Sequence, residues 1–255
     1  MSRNATKDLT TGSPMKLILG FGIPLLFGML FQQFYNMMDT IIVGKFLGVS
    51  ALASVGATGS INFMIIGFCM GVCNGFAIPV AQRFGAKDEH GMRKFVANSV
   101  WLSIIFAVVM AVLVCVFCRQ ILELMNTPED IIDGSYSYIF VIFLGIPATY
   151  MYNLLSGIMR SLGDSKTPLY LLIFSSILNI ILDLLSIIVL KMGVAGAAWA
   201  TVIAQAISGF CCLGVIWKKF PILHVQREEW QPDKLCILNL CNMGIPMGLQ
   251  YSITA

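Results

Sequence analysis

Two carboxylates sit in the wrong solvent. Asp39 and Asp183 fall deep inside long apolar runs, while the other eleven acidic residues lie in the N-terminal tail, in connecting segments or, for Asp133, at the very edge of a run. An ionised side chain at the middle of a membrane helix costs about 2.5–3.5 kcal/mol on insertion scales, so acids in such places mark function by default. Their neighbours add oxygen. Asn179 precedes Asp183 by one helical turn on the same face, and Gln32, Asn36 and Asp39 follow an i, i+4, i+7 pattern. Asp39 comes six residues before Lys45 and Asp183 eight before Lys191, which places both on the order of 10 Å below one end of their helices. Thr201, on the following run, reaches a similar height. Paired carboxylates among hydroxyl and amide oxygens suit a proton or a small hard cation, and two such acids held close can share one proton. The competing reading is that these groups bridge helices by hydrogen bonds worth about 1 kcal/mol each. That reading fits Asn36, Tyr138 and Asn153 taken singly. It fits the two aspartates poorly, because Asn or Ser could join helices without burying a charge.

The elements that carry these residues are membrane spans. Of 255 residues, 58% are apolar and 11% charged, against about 25% charged in a soluble domain, so the solvent for most of the surface is lipid. Apolar runs near 15–44, 50–82, 95–118, 131–158, 168–190 and 194–217 each reach the length needed to cross a bilayer, and a seventh begins at 235. The first two are long enough to tilt or bend, and Pro24 and Pro147 should kink their spans. Thirteen of the 16 basic residues fall in the tail and in the segments after the second, fourth and sixth spans. The positive-inside rule therefore puts the N-terminus in the cytoplasm. The first run is too long for a signal h-region and lacks a cleavage site, so it is read as a retained span. A net charge of +3 is too small to point to nucleic acid.

Smaller patterns refine the architecture. Gly67, Gly71 and Gly75 recur every fourth residue and form one face of the second span, a pattern for close helix packing, with a hinge as the alternative. Gly22-Ile23-Pro24 returns as Gly244-Ile245-Pro246, 222 residues later and again early in a run that starts on the same side. This suggests a parallel six-plus-six repeat. The expected fold is thus an all-α, polytopic transmembrane bundle: a tail over 1–14, a six-helix N-lobe over 15–217, a cytoplasmic linker over 218–234 and the first helix of a C-lobe over 235–255. With the chain ending about 21 residues into it, that seventh helix is expected to be incomplete and the product truncated. Within the linker, the amphipathic stretch 225–234 is expected to lie on the membrane surface with Trp230 as anchor. Seven of the eight cysteines lie in apolar runs and the eighth, Cys236, borders one, so they read as packing residues and not as a disulfide or metal framework. His90 and His224 fall in what read as solvated loops, and neither HExxH nor Gly-x-Ser-x-Gly is present, which removes the usual support for an enzyme.

In order along the chain, Gly22-Ile23-Pro24, Asp39-Thr40 with Val43-Gly44, Gln82-x-x-Gly85-Ala86 and Arg160-x-x-Gly163-Asp164-x-x-x-Pro168 resemble the multidrug and toxic compound extrusion (MATE) transporters. The resemblance spans the chain and matches the N-terminal lobe of that family. It implies twelve helices in two lobes, alternating access, and export of small, drug-like, mostly cationic amphipathic compounds across the cell membrane, driven by H⁺ or Na⁺ and without a further cofactor. The full-length protein is expected to act as a monomer. Carried over by motif, the cation site would comprise Asp39, Asn179, Asp183 and Thr201, and Gln32, Asn36, Tyr138 and Asn153 would line the substrate cavity. The alternative is a flippase for lipid-linked oligosaccharides, a function of related many-helix families. Such a protein would line its cavity with basic groups, and here Arg119 and Arg160 stand at span ends.

Overall fold

The computed structural model describes residues 12–254, and everything said of structure below refers to them. Most of the predicted tail, with Arg3 and Lys7, lies outside this range. Lipid offers no hydrogen bonds to the backbone, so apolar runs of this length satisfy their own amides by coiling. Nine α-helices result: α1 (Pro14–Leu47), α2 (Val49–Gly85), α3 (Glu89–Val116), α4 (Cys118–Leu124), α5 (Ile132–Leu144), α6 (Ile146–Ser161), α7 (Lys166–Leu184), α8 (Gly193–Lys219) and α9 (Lys234–Ile253). Five of them (α1, α2, α3, α7 with its extension, and α8) are long and apolar enough to cross a membrane, and α5 with α6 makes a sixth span if the pair is counted as one. The fold is the expected all-α polytopic bundle. By contrast α9, the predicted seventh run, falls short of that apolarity, because Asn239, Asn242 and Gln250 interrupt it.

Breaks between elements have local causes. The α1–α2 junction turns at Gly48 with φ of 87°, a backbone conformation that favours glycine. The α2–α3 turn closes through Asp88, whose carboxylate caps α3 at the Gly91 amide (2.9 Å) and pairs with Arg83 (2.9 Å). The predicted fourth span is bent by 46° at Gly145, with Pro147 in the first turn of α6, so the expected kink is present there. Helix α1, in contrast, runs through Pro24 without interruption. At its far end α7 loosens into a π turn over Leu185–Val189.

Helix α2 is the central strut and touches α3, α5, α6 and α9, while α8 packs against α5, α6 and α7. Their shared core includes Phe76, Phe143, Tyr150, Ile158 and Met159, all essentially sealed from solvent. The glycine face of α2 packs against α9: a Cβ on Gly71 would lie 2.5 Å from the Met247 carbonyl oxygen, and one on Gly75 would lie 2.5 Å from the Gly244 Cα. The sequence expected close packing of this face, and the partner it meets is the helix that carries the repeated Gly-Ile-Pro triplet. Helix α1 is peripheral. It rests on α7, α2 and α8 and buries only Pro24, Ile42 and Val43 fully.

One reading of the connecting segments needs correction. His90, expected in a solvated loop, is exposed but stands in the first turn of α3, with Nδ1 2.9 Å from Glu229 Oε1. His224 is exposed in the irregular stretch after a short 3-10 turn, as expected, and its ring packs on Trp217. The stretch around Trp230 is also more than a surface float: Glu229 is buried and accepts from Arg93 Nε at 2.9 and 3.0 Å and from the Gln226 amide at 2.8 Å. Lys94 pairs with Asp233, and Trp101 donates to the Trp230 carbonyl at 3.2 Å. Sequence periodicity marks Trp230 as amphipathic but cannot show that α3 offers a matching row of His90, Arg93, Lys94 and Trp101. All eight cysteines are free thiols, as their apolar settings implied.

Candidate cation site

Four helices converge on the two aspartates. Asp183 ends α7 just before the π turn and is fully buried. Ser186, inside that turn, donates to the Gly196 carbonyl of α8 at 3.1 Å, and Gly196 approaches so near that an added Cβ would lie 3.2 Å from the Ser186 Cβ. This tight α7–α8 corner sets Asp183 and Thr201 at one height. Across from them, α1 brings Asp39 beside the Asp183 carboxyl. The amide of Asn179 is oriented by its neighbours, since only one of its two orientations avoids setting acceptor against acceptor. In that orientation it donates to Asp183 Oδ2 at 2.9 Å and accepts from Thr201 Oγ1 at 3.2 Å.

Tyr35 completes the group. It lies one turn before Asp39 on α1, and its hydroxyl donates to Thr201 Oγ1 at 3.4 Å. The sequence reading passed over this residue, although the same i, i+4 rule that linked Asn179 to Asp183 would have found it. Tyr138, from α5, is buried beside both aspartates. One oxygen of each carboxylate, Asp39 Oδ1 and Asp183 Oδ1, has no hydrogen-bond partner among the described residues. Such orphaned acceptors are rare in a native interior. Hard oxygen donors of this kind fit a bound proton or an alkali cation.

The residues expected to line the cavity are dispersed. Gln32 joins Tyr35, Tyr152, Leu172, Ser175, Ser176 and Gln205 around a small cavity with a mixed polar and apolar wall. Asn153 bonds back to the Thr149 carbonyl of its own helix at 2.8 Å, and Asn36 is exposed. Arg160 stands at the end of α6, as read from sequence. Its guanidinium nevertheless turns back into the bundle and donates to Asn74 Oδ1 of α2 at 3.2 Å, because side chains on a helix lean towards its N-terminus.

The MatE family model matches residues 24–185, which include both aspartates, Asn179, Tyr35 and Tyr138. The chain belongs to the MATE family. It is 33% identical over 245 residues to the Bacillus subtilis (strain 168) protein named "Probable multidrug resistance protein YoeA", a match covering 92% of this chain and 52% of YoeA. It is 30% identical to YpnP of the same strain, also named a probable multidrug resistance protein, over 96% of this chain and 55% of that one. In three dimensions it superposes with a TM-score of 0.88 on a multidrug resistance MATE family transporter solved in an outward-facing conformation. The two are 27% identical, with 96% of this chain and 55% of the other covered. The MATE chain described here thus spans about half the length of the curated relatives it matches, and its helices correspond to a partial lobe arrangement of that fold.

Proposed function

We propose that this chain is the cation-handling lobe of a MATE antiporter, which exports small, mostly cationic amphipathic compounds in exchange for H⁺ or Na⁺. The supporting observation is the nearness of the Asp39 and Asp183 carboxyls, each with one orphaned oxygen, among Tyr35, Tyr138, Asn179 and Thr201. Two carboxylates held close resist joint ionisation in a medium of low dielectric. They therefore either share a proton or draw in a cation, and a substrate cation nearby would compete with that occupant. Competition of this kind couples the two fluxes, since a ligand shifts a conformational equilibrium only through unequal affinity for its states.

In this reading, residues 15–217 form one lobe, α9 opens the second after the 218–234 linker, and the α2–α9 seam closes the cytoplasmic side. Of the residues expected to line the cavity, the exposed Asn36 would face the substrate on the lobe's open side, while Gln32, Tyr138 and Asn153 would act from within the wall. The charge bias of the connecting segments supports an N-terminus in the cytoplasm and a home in the cell membrane, and the full-length form would work as a monomer.

The test uses everted vesicles from cells making a full-length protein that contains this lobe. Dye accumulation should follow an imposed H⁺ or Na⁺ gradient and collapse in Asp39→Asn and Asp183→Asn. Dye movement that ignores both gradients and survives both substitutions would overturn the reading.

A further inference from the structure

Two helical turns from the aspartates, towards the basic end of the bundle, lies a second polar setting. The geometry points to an ordered-water site there, which serves as the first inward solvation station for the coupling ion and shares the Tyr35 hydroxyl with the carboxylate cluster. The proposal rests on the cation-site reading and extends it. Each helix of the cluster steps down to it in register: Asp39 and Tyr35 to Gln32 on α1, Asp183 and Asn179 to Ser175 on α7, and Thr201 to Gln205 on the oppositely running α8. Tyr152 of α6, Ser176 and the apolar Leu172 close the ring. The space left for the centre of a water molecule is about 20 Å³. One water needs roughly 10–15 Å³ on this measure, together with two to four polar partners. A drug-sized ligand needs a pocket of about 300 Å³ or more.

The hydrogen bonds already made decide which atoms remain for a guest. Gln205 Oε1 accepts from Thr149 at 2.8 Å, which leaves its NH₂ group to donate. Ser175 and Ser176 donate to the Ala204 carbonyl at 3.4 Å and the Leu172 carbonyl at 2.9 Å, which leaves their lone pairs to accept. The Tyr35 hydroxyl spends its proton on Thr201 and keeps its acceptor side. Donors and acceptors therefore stand in the mixture that water satisfies, and the ring contains no carboxylate. A cation would find solvation here but no counter-charge. It would pass through without being trapped, while the aspartates two turns away hold it.

Hydroxyl-radical footprinting of this chain in lipid nanodiscs, read by mass spectrometry, tests the water. Tyr35 and Tyr152 should be modified on the order of five times faster than Tyr150, since an ordered water beside a ring supplies the radical. Tyr150 is the internal reference, with its ring 2% exposed and its hydroxyl unpartnered. Ser175→Ala with Gln205→Met should bring Tyr35 down to the Tyr150 rate and leave the 67% exposed Tyr170 unchanged. Should the pair fail to fold, Ser175→Ala alone should lower the Tyr35 rate in the same direction. A Tyr35 rate equal to that of Tyr150 in the native chain, or one unaltered by these substitutions, overturns the proposal. The parent reading is tested separately by binding of radioactive ²²Na⁺ and by proton uptake in Asp39→Asn. Undiminished uptake of both there refutes the carboxylate site without touching the footprint.

Discussion

Replacing Gly75 by alanine should force α2 and α9 apart. A Cβ at that position would stand 2.5 Å from the Gly244 Cα and 2.7 Å from the Met243 carbonyl oxygen. Carbon atoms in contact prefer about 3.5–4.0 Å, and both obstacles are backbone, so no rotamer change relieves the clash. The helices must therefore separate by about 1 Å at this point, and a gap of 0.5–1 Å already forfeits a quarter to a half of each contact's attraction. Overpacking of this kind costs about 1–3 kcal/mol. In a membrane the loss has little to offset it, because close packing and not hydrophobicity holds helices together. Gly71, facing the Met247 carbonyl and the Gly248 backbone, should behave alike. Gly56 and Gly59 provide the control, for they lie on the same helix with nothing within 4 Å of an added Cβ. Alanine there should be neutral or stabilise by about 0.5–1 kcal/mol through helix propensity. Equilibrium unfolding in mixed micelles gives the free energies, and spin labels on exposed positions of α2 and α9 give the separation. Equal effects at Gly59 and Gly75, or an unchanged α2–α9 distance in Gly75→Ala, would refute the argument.

The linker should respond to loss of its buried carboxylate. Glu229→Gln leaves Arg93 facing a neutral amide, and breaking such a pair costs about 3 kcal/mol, to be read as faster hydrogen exchange over residues 226–233. Burial pushes the Glu229 carboxyl up, but the Gln226 amide and Arg93 outweigh it and hold the group below its ordinary range. A depressed carboxylate stabilises fully above its unfolded value, near 4.3, and loses that contribution as pH falls through the folded value. The linker amides should therefore stay protected at neutral pH and open progressively below about pH 4.3. At the other end of the scale, the Asp233 carboxylate bonded to Lys94 raises the Lys94 ammonium. That contribution is complete below the unfolded lysine value and disappears as pH rises through the folded one, so Lys94→Met should abolish any loosening of the linker seen at strongly alkaline pH. Finally, Ser186→Val should disturb the α7–α8 corner by removing the bond to the Gly196 carbonyl and crowding that glycine. Cation affinity should fall on the order of tenfold, the factor that corresponds to about 1.4 kcal/mol. An unchanged affinity would show that the corner does not position Asp183.

Much of the site was legible because helical periodicity is a local rule. Asn179 and Asp183 share a face by spacing alone, and counting residues from Lys45 and Lys191 placed two aspartates from distant spans at one depth. The same rule contained Tyr35, which was overlooked only because a tyrosine in an apolar run does not announce itself as a carboxylate does. Gln32, Asn36 and Asn153 show where the rule stops. Spacing puts Gln32 and Asn36 on the Asp39 face, yet Gln32 lines a small cavity while Asn36 is exposed, and Asn153 turns to its own helix.

Composition and charge placement alone determined that the chain is a helical membrane protein, where its helices run, and which two charges stand apart. These follow from the cost of moving polar groups into lipid, which acts residue by residue. Tertiary structure decided which helices meet: α1 against α7, so that Asp39 lies beside Asp183; the glycine face of α2 against α9; and Glu229 against the first turns of α3. Pairings of that kind depend on the shapes of surfaces far apart in the chain, and a one-dimensional pattern records the face of a helix without recording what lies opposite it.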